Sequence, residues 1–242
     1  FSKTISPNFM VRYAPSHMRD LSSSKTSLNY SNLYATNKTS EIERGLSAIL
    51  GFDYKINEKK QDGSEREKIS ISMGQVFNAE ENKDIPSKSS LDQKSSDIVG
   101  VATYNFSKIG KIDYKFSMDH NLNDLNYNQV STTLNFGKVD FNLDYLEESK
   151  HIGTEHYVNS GVSLNFNDSN KLSFSTKKNF KTESTELYNL SYQYMNDCLT
   201  AGLVFRREFY DDPANDIKPK DSLMFMITIV PLGPVATPVF KP

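Results

Sequence analysis

The residues of this 242-residue sequence best suited to chemistry are four histidines, one cysteine and the carboxylates set into its alternating stretches. His17, His120, His151 and His156 show no metal-ligand spacing, whereas zinc sites repeat short, recognisable intervals. They fall mostly in expected loops or at strand ends and read as solvated loop histidines. Asp140 and Asp144 project to one face of an expected strand. Paired carboxylates can do acid–base work, but a hydrated surface accounts for these two more simply. G-x-S-x-G, H-E-x-x-H and glycine-rich phosphate loops do not occur. No catalytic residue, cofactor or metal site is therefore expected, and the chain is not expected to be an enzyme. Cys198 is the single cysteine, which rules out a disulfide within the chain. It follows Asn196-Asp197 at an expected tight turn. Two readings stay open: a small apolar residue packed inside, or a thiol in an oxidising compartment bonded to a part of the protein outside this sequence. The cysteine-free remainder favours the second.

Strict alternation is what must position these groups. In Val139–Tyr145, Val139, Phe141, Leu143 and Tyr145 alternate with Asp140, Asn142 and Asp144. Ile112, Tyr114, Phe116 and Met118 alternate with Asp113, Lys115 and Ser117, and Tyr188, Leu190, Tyr192 and Tyr194 with Asn189, Ser191 and Gln193. A period of two is the strand signature, and no segment holds a helical period. The pattern predicts about thirteen strands near 8–15, 28–36, 42–56, 69–77, 98–106, 111–118, 125–136, 139–147, 155–166, 171–179, 186–195, 198–209 and 222–230, an all-β antiparallel meander. Tight turns at Gly137-Lys138, Asp168-Ser169-Asn170 and Asn196-Asp197 alternate with longer polar links at 148–154, 180–185 and 211–220. Outer-membrane barrels alternate short periplasmic turns with longer outside loops in this way. That scheme puts Cys198 and the C-terminus on the periplasmic side. The charged link at 57–67 is long for such a turn.

Composition agrees with a sheet that is apolar on one face and wet on the other. Hydrophobic residues make up only 37%, yet the chain holds 15 Phe and 13 Tyr, too aromatic for a disordered chain. With 28 basic and 30 acidic side chains the net charge is −2, so nucleic acid is not an expected partner. No apolar run reaches the length of a membrane-spanning helix; the best, Leu223–Val230, stops at Pro231. No signal peptide opens the sequence, and a first residue Phe1 in place of Met points to a fragment or processed product. A soluble sandwich, lipocalin-like barrel or solenoid would also alternate. Charges on consecutive polar faces and aromatics near strand ends favour the membrane barrel. In that barrel Leu143, Phe174, Tyr192 and Phe205 should face lipid. Lys115, Asp140, Asn142, Asp144, Ser173 and Asn189 should face the lumen.

Several blocks resemble the C-terminal barrel region of the LptD family of lipopolysaccharide-assembly outer-membrane proteins, particularly alphaproteobacterial forms. They are Gly74-Gln75-Val76-Phe77, Ile85-Pro86-Ser87-Lys88-Ser89-Ser90-Leu91 and Ser96-Asp97-Ile98-Val99-Gly100. Later come Asn196-Asp197-Cys198-Leu199, Arg206-Arg207-Glu208-Phe209-Tyr210 and Asp221-Ser222-Leu223-Met224-Phe225. Glu43-Arg44-Gly45 and Gly51-Phe52-Asp53-Tyr54 are similar too. The resemblance implies insertion of lipopolysaccharide into the outer leaflet of a Gram-negative outer membrane. It implies a large barrel plugged by an LptE-like lipoprotein, of which residues 1–242 are the C-terminal half. An N-terminal jellyroll facing the periplasmic Lpt bridge, and the first half of the barrel, would lie outside this sequence. Cys198 matches the family's C-terminal cysteine, which bonds to the N-terminal domain. Leu199 stands where some relatives have a second cysteine. The family's barrel opens between its first and last strands, so the last alternating segment becomes the gate strand, with Ser222, Leu223, Phe225, Ile227, Ile229 and Pro231. A general porin or solute channel is the alternative.

Overall fold

Alternating aromatic and β-branched residues favour strands, and Gly, Asn and Asp favour turns; the chain follows both. The computed structural model describes all residues except Ser16, Ser40, Asp62, Ser107, 210–219, 230–232 and 237–242. Among the described residues there is no helix. Thirteen antiparallel strands follow one another in chain order. They are β1 (Ser2–Ala14), β2 (Gly45–Lys59), β3 (Glu65–Asn78), β4 (Ile98–Asn105), β5 (Gly110–Met118), β6 (Leu125–Asn135) and β7 (Val139–Glu148). β8 (His156–Asn167), β9 (Asn170–Asn179), β10 (Ser184–Met195), β11 (Leu199–Glu208), β12 (Lys220–Ile229) and β13 (Gly233–Ala236) complete the order.

Three expectations are corrected. Segment 28–36 is not a strand but a run of turns. Asn29 Oδ1 accepts the N–H groups of Ser31 and Asn32 at 3.0 and 3.2 Å, and Asn32 Oδ1 accepts that of Asn29 at 2.8 Å. These local side-chain bonds outcompete a ladder. A strand does appear at β13, behind Pro231, where the prolines concealed it: Met226 to Ile229 of β12 pair with Ala236 to Gly233. Among the described residues the gate strand assigned to 222–230 is thus followed by one more strand. Finally, the link at 57–67 is mostly ladder. Glu58 pairs with Arg66 and Lys59 with Glu65 in register, and opposite charges facing across strands hold such a hairpin end together.

The chain divides into two compact units. The first comprises 1–107, 111–130 and 146–155. Its core joins Ile49, Val76 and Val99 of β2, β3 and β4 to Met18, Leu21, Leu28 and Leu33 of the β1–β2 connection and Ile85 and Leu91 of the β3–β4 connection. The second comprises 108–110, 131–145 and 156–242. Among its described residues only Gly161 and Gly202 are buried. Its apolar side chains line one face, and Leu190, Leu203, Phe205, Leu223 and Phe225 all lie exposed.

Candidate functional site

In the second unit the polar face is a hydrogen-bonded ladder. Asp140 accepts from Asn135 and, at 3.0 Å, from Asn165. Asp144 accepts from Ser131 at 2.6 Å and from Tyr157 at 3.4 Å. Ser163 and Ser173 share a bond of 2.8 Å, and Lys177 pairs with Glu186 at 2.8 Å. Asn142 is exposed and leans over Gly161, where a Cβ would come within 2.5 Å of its Oδ1. Asn189 lies on this face too, its Oδ1 buried without a partner. The structure therefore gathers Asp140, Asn142, Asp144, Ser173 and Asn189 on one side of the second unit. Lys115, exposed on β5, belongs to the first unit.

The opposite face of the second unit is apolar in the middle and aromatic toward the strand ends. In register, Phe174 faces Leu190, Leu190 faces Phe205, and Phe205 faces Leu223. Near the longer connections Tyr145, His156 and Phe180 cluster, with ring centroids 4.8–6.4 Å apart. Tyr188 meets Phe209 edge-on at 5.2 Å, beside a bidentate Arg207–Asp221 pair at 2.7 and 2.6 Å. An apolar band bounded by aromatic girdles is how a membrane barrel meets lipid.

In the first unit the inner face is covered. The directly paired Gly51 and Gly74 leave a slot for the turn segment. A Cβ at Gly74 would lie 2.7 Å from Leu33 Cδ2, and one at Gly51 would strike the Tyr34 hydroxyl. Tyr30 donates to Asp53 at 2.7 Å, and burial together with that carboxylate pushes its phenol up to about 12. Glu43 Oε1 accepts the backbone N–H groups of Lys38 and Thr39 at 2.5 and 2.6 Å. Burial lowers the Lys38 ammonium pKa, against the opposing pull of Glu43. Ser96 bonds Val76 through its hydroxyl at 2.9 Å, and Gln75 donates to Ser96 O at 2.7 Å. Buried Asp97 accepts from Ser117 and Asn126, both at 2.8 Å. The blocks at 43–45, 51–54, 74–77, 85–91 and 96–100 are thus the joints between wall and covering segments.

The other expected groups sort differently. His17 and His120 are exposed, as solvated loop histidines should be. His156 sits in the aromatic cluster. His151 corrects the expectation: it is buried, with Nδ1 3.2 Å from Glu148 Oε1. Glu148, three residues earlier at the end of β7, carried no periodic signal that could have exposed the pair. Among the described residues no group of three potential ligands could hold a metal. Cys198 is exposed, which overturns the packed-inside reading. Its N–H and that of Leu199 bond Asn196 Oδ1 at 3.0 and 2.8 Å, making the tight turn. Ser222, Leu223, Phe225, Ile227 and Ile229 lie on β12, the last four sharing a face, while Pro231 is outside the described residues.

Comparisons with known proteins complete the description. A double mutant of the porin of Rh. blastica aligns with a TM-score of 0.41 at 10% identity, over 94% of this chain and 90% of that one. A triple mutant of the Rhodopseudomonas blastica porin gives 0.35 at 11% identity, over 96% and 97%. No curated protein matches. The family model for LptD, LPS transport system D, matches residues 1–164. That match puts the chain in the outer membrane and among proteins of lipopolysaccharide transport, a transport kind of protein and not an enzyme kind. With more than half its length matched, this chain belongs to the LptD family.

Proposed function

We propose that this chain is the C-terminal part of an LptD barrel that inserts lipopolysaccharide into the outer leaflet and carries out no chemical step of its own. The family match over residues 1–164 is the observation that carries the reading. The polar ladder of Asp140, Asn142, Asp144, Ser173 and Asn189 lines a hydrated lumen through which the glycan headgroup travels, and Lys115 of the first unit is assigned to the same aqueous side. The apolar faces meet lipid. The first half of the barrel and the jellyroll that meets the periplasmic bridge belong to the rest of the protein, and an LptE-like lipoprotein fills the lumen. Cys198, exposed at a short turn with no partner cysteine in this chain, bonds to the N-terminal region.

The gate strand is assigned to β12 together with the short β13 paired to one end of it. Among the described residues β13 pairs with Met226–Ile229, while β12 runs on to Lys220. Pro234 offers no N–H to a ladder. Few hydrogen bonds then close this edge, and an amphiphile can part it. A general porin is the other function of a meander with a polar face. The covered inner face of the first unit counts against an open pore.

Depletion of the full-length protein, followed by surface labelling of lipopolysaccharide, tests the proposal. Surface lipopolysaccharide should fall while small-solute uptake holds. Normal surface lipopolysaccharide with impaired solute uptake would identify a porin instead. A cysteine pair joining β13 to the barrel's first strand should stop export without unfolding the barrel. On non-reducing gels Cys198→Ser should abolish a mobility difference seen in the full-length protein.

A further inference from the structure

A cavity of about 380 Å³ lies in the first unit between the inner side of β4 to β6 and residues 27–31 of the β1–β2 connection. That size is at the small end of small-molecule sites, roughly 300–1,000 Å³. Its lining includes Lys115, Ser117, Tyr127, Glu148 and His151. The dyad is built, not incidental. Glu148 Oε1 holds His151 Nδ1 at 3.2 Å, and Glu148 Oε2 accepts the Glu155 N–H at 3.1 Å. Gly153 lies so close over the carboxylate that any side chain there would collide with it. The bond to Glu148 assigns the proton of a neutral imidazole to Nδ1, leaving Nε2 as an acceptor. Among the described residues Nε2 has no hydrogen-bond partner.

The cavity also holds a cation with no hydrogen-bond partner among the described residues. Asp113, on the same face as Lys115, is held by Lys111 at 2.6 Å and by Thr103 at 2.7 Å. Lys115 makes no hydrogen bond or ion pair among the described residues, and its side chain is exposed. Tyr127, its ring 5.4 Å from that of His151, adds a flat apolar wall. One ammonium without a hydrogen-bond partner, near Asp113, one imidazole acceptor, serine hydroxyls and an aromatic wall suit a compact group bearing one negative charge, several hydroxyls and a C–H face. A fatty chain would leave the polar groups unpaired, at a cost, and Lys115 repels a metal cation. We infer that this cavity binds an acidic sugar, with its anionic group on Lys115 and a ring hydroxyl donating to His151 Nε2. The sugar could be a free monosaccharide or part of an anionic glycolipid. The inference requires that this face meet water, and does not require that the protein export lipopolysaccharide.

Calorimetric titration of the detergent-solubilised full-length protein with galacturonate, galactose and purified lipopolysaccharide tests it. Galacturonate should bind at least tenfold more tightly than galactose. Lys115→Gln should erase that preference, Lys115→Arg should restore most of it, and His151→Gln should weaken both sugars. Competition between galacturonate and lipopolysaccharide identifies the glycolipid as the source of the sugar; galacturonate binding without competition identifies the free sugar. Equal affinity for galacturonate and galactose, absence of galacturonate binding, or an unchanged preference in Lys115→Gln would overturn the inference. Because only binding is read, failure here leaves the export proposal standing, and loss of export leaves this result standing.

Discussion

The two units make opposite use of the same alternating strands. In the first, segments 17–44 and 79–97 fold over the inner face and bury Leu28, Leu33, Ile49, Val76 and Val99 to within 1% of full enclosure. In the second, only two glycines are buried among its described residues. The first unit therefore has a core in the sense of a soluble domain. Among its described residues the second shows none, and its large apolar side chains lie open; Leu223 remains 51% exposed. An apolar surface of that kind is unfavourable in water and favourable in a bilayer. The lesson concerns what stabilises each unit: packing in the first, lipid on one side and a hydrogen-bonded ladder on the other in the second.

If that contrast is right, truncation should hurt the first unit most. Leu33→Ala empties a fully enclosed site and should cost about 2–5 kcal/mol, whereas Phe205→Ala, on the bare face, should cost much less; denaturant unfolding in micelles measures both. Charge should do the reverse. Leu143→Arg places a cation on the apolar face and should cost roughly 2–4 kcal/mol near mid-membrane, while Asn142→Arg beside it should be mild. Heat-modifiable migration of the assembled barrel reads the difference, and equal tolerance would break the comparison. Glycine substitutions sharpen it further. At Gly51 a Cβ would sit 2.5 Å from the Met73 carbonyl oxygen and strike the Tyr34 hydroxyl, but at Gly202 nothing lies closer than 3.9 Å. Gly51→Ala should thus cost about 1–3 kcal/mol through overpacking, with Gly202→Ala near neutral.

The smallest expected effect is a pH dependence confined to the first unit. Tyr30 has its phenol raised from 10.0 to about 12, chiefly by burial and then by Asp53. A raised folded value means that its contribution is complete below pH 10 and disappears as the pH climbs through about 12. Tyr30→Phe should remove that alkaline step from an unfolding-versus-pH series, and the step should persist if Tyr30 plays no part.

Legibility from sequence follows the same division. Segment 139–145 could be placed residue by residue because one face of it is apolar and the other polar, and a slip of one residue would exchange the faces. The whole second unit through β12 obeys that rule. Segment 28–36 misled because Leu28, Tyr30 and Tyr34 imitate alternation, while Asn29 and Asn32 use their side chains to close turns. The His151–Glu148 dyad and the buried Asp97 network were hidden for a related reason: each has a member in a connection, His151 after β7 and Asp97 before β4, where no period exists. β13 was masked by prolines that read as a tail. The family blocks were recognisable, but their shared task of seating the covering segments became visible only when Gly51 and Gly74 were seen side by side.

The central claim is that in the outer membrane the two faces of the second unit meet different solvents. Single cysteines at successive positions of β9 and β10, 172–175 and 189–192, introduced in a Cys198→Ser background, test it most directly. Reaction with a charged, water-soluble maleimide in assembled full-length protein should alternate: fast at 173, 175, 189 and 191, and slow at 172, 174, 190 and 192. Uniform reactivity at all eight positions, or fast labelling at 174 and 190 with protection at 173 and 189, would contradict the account.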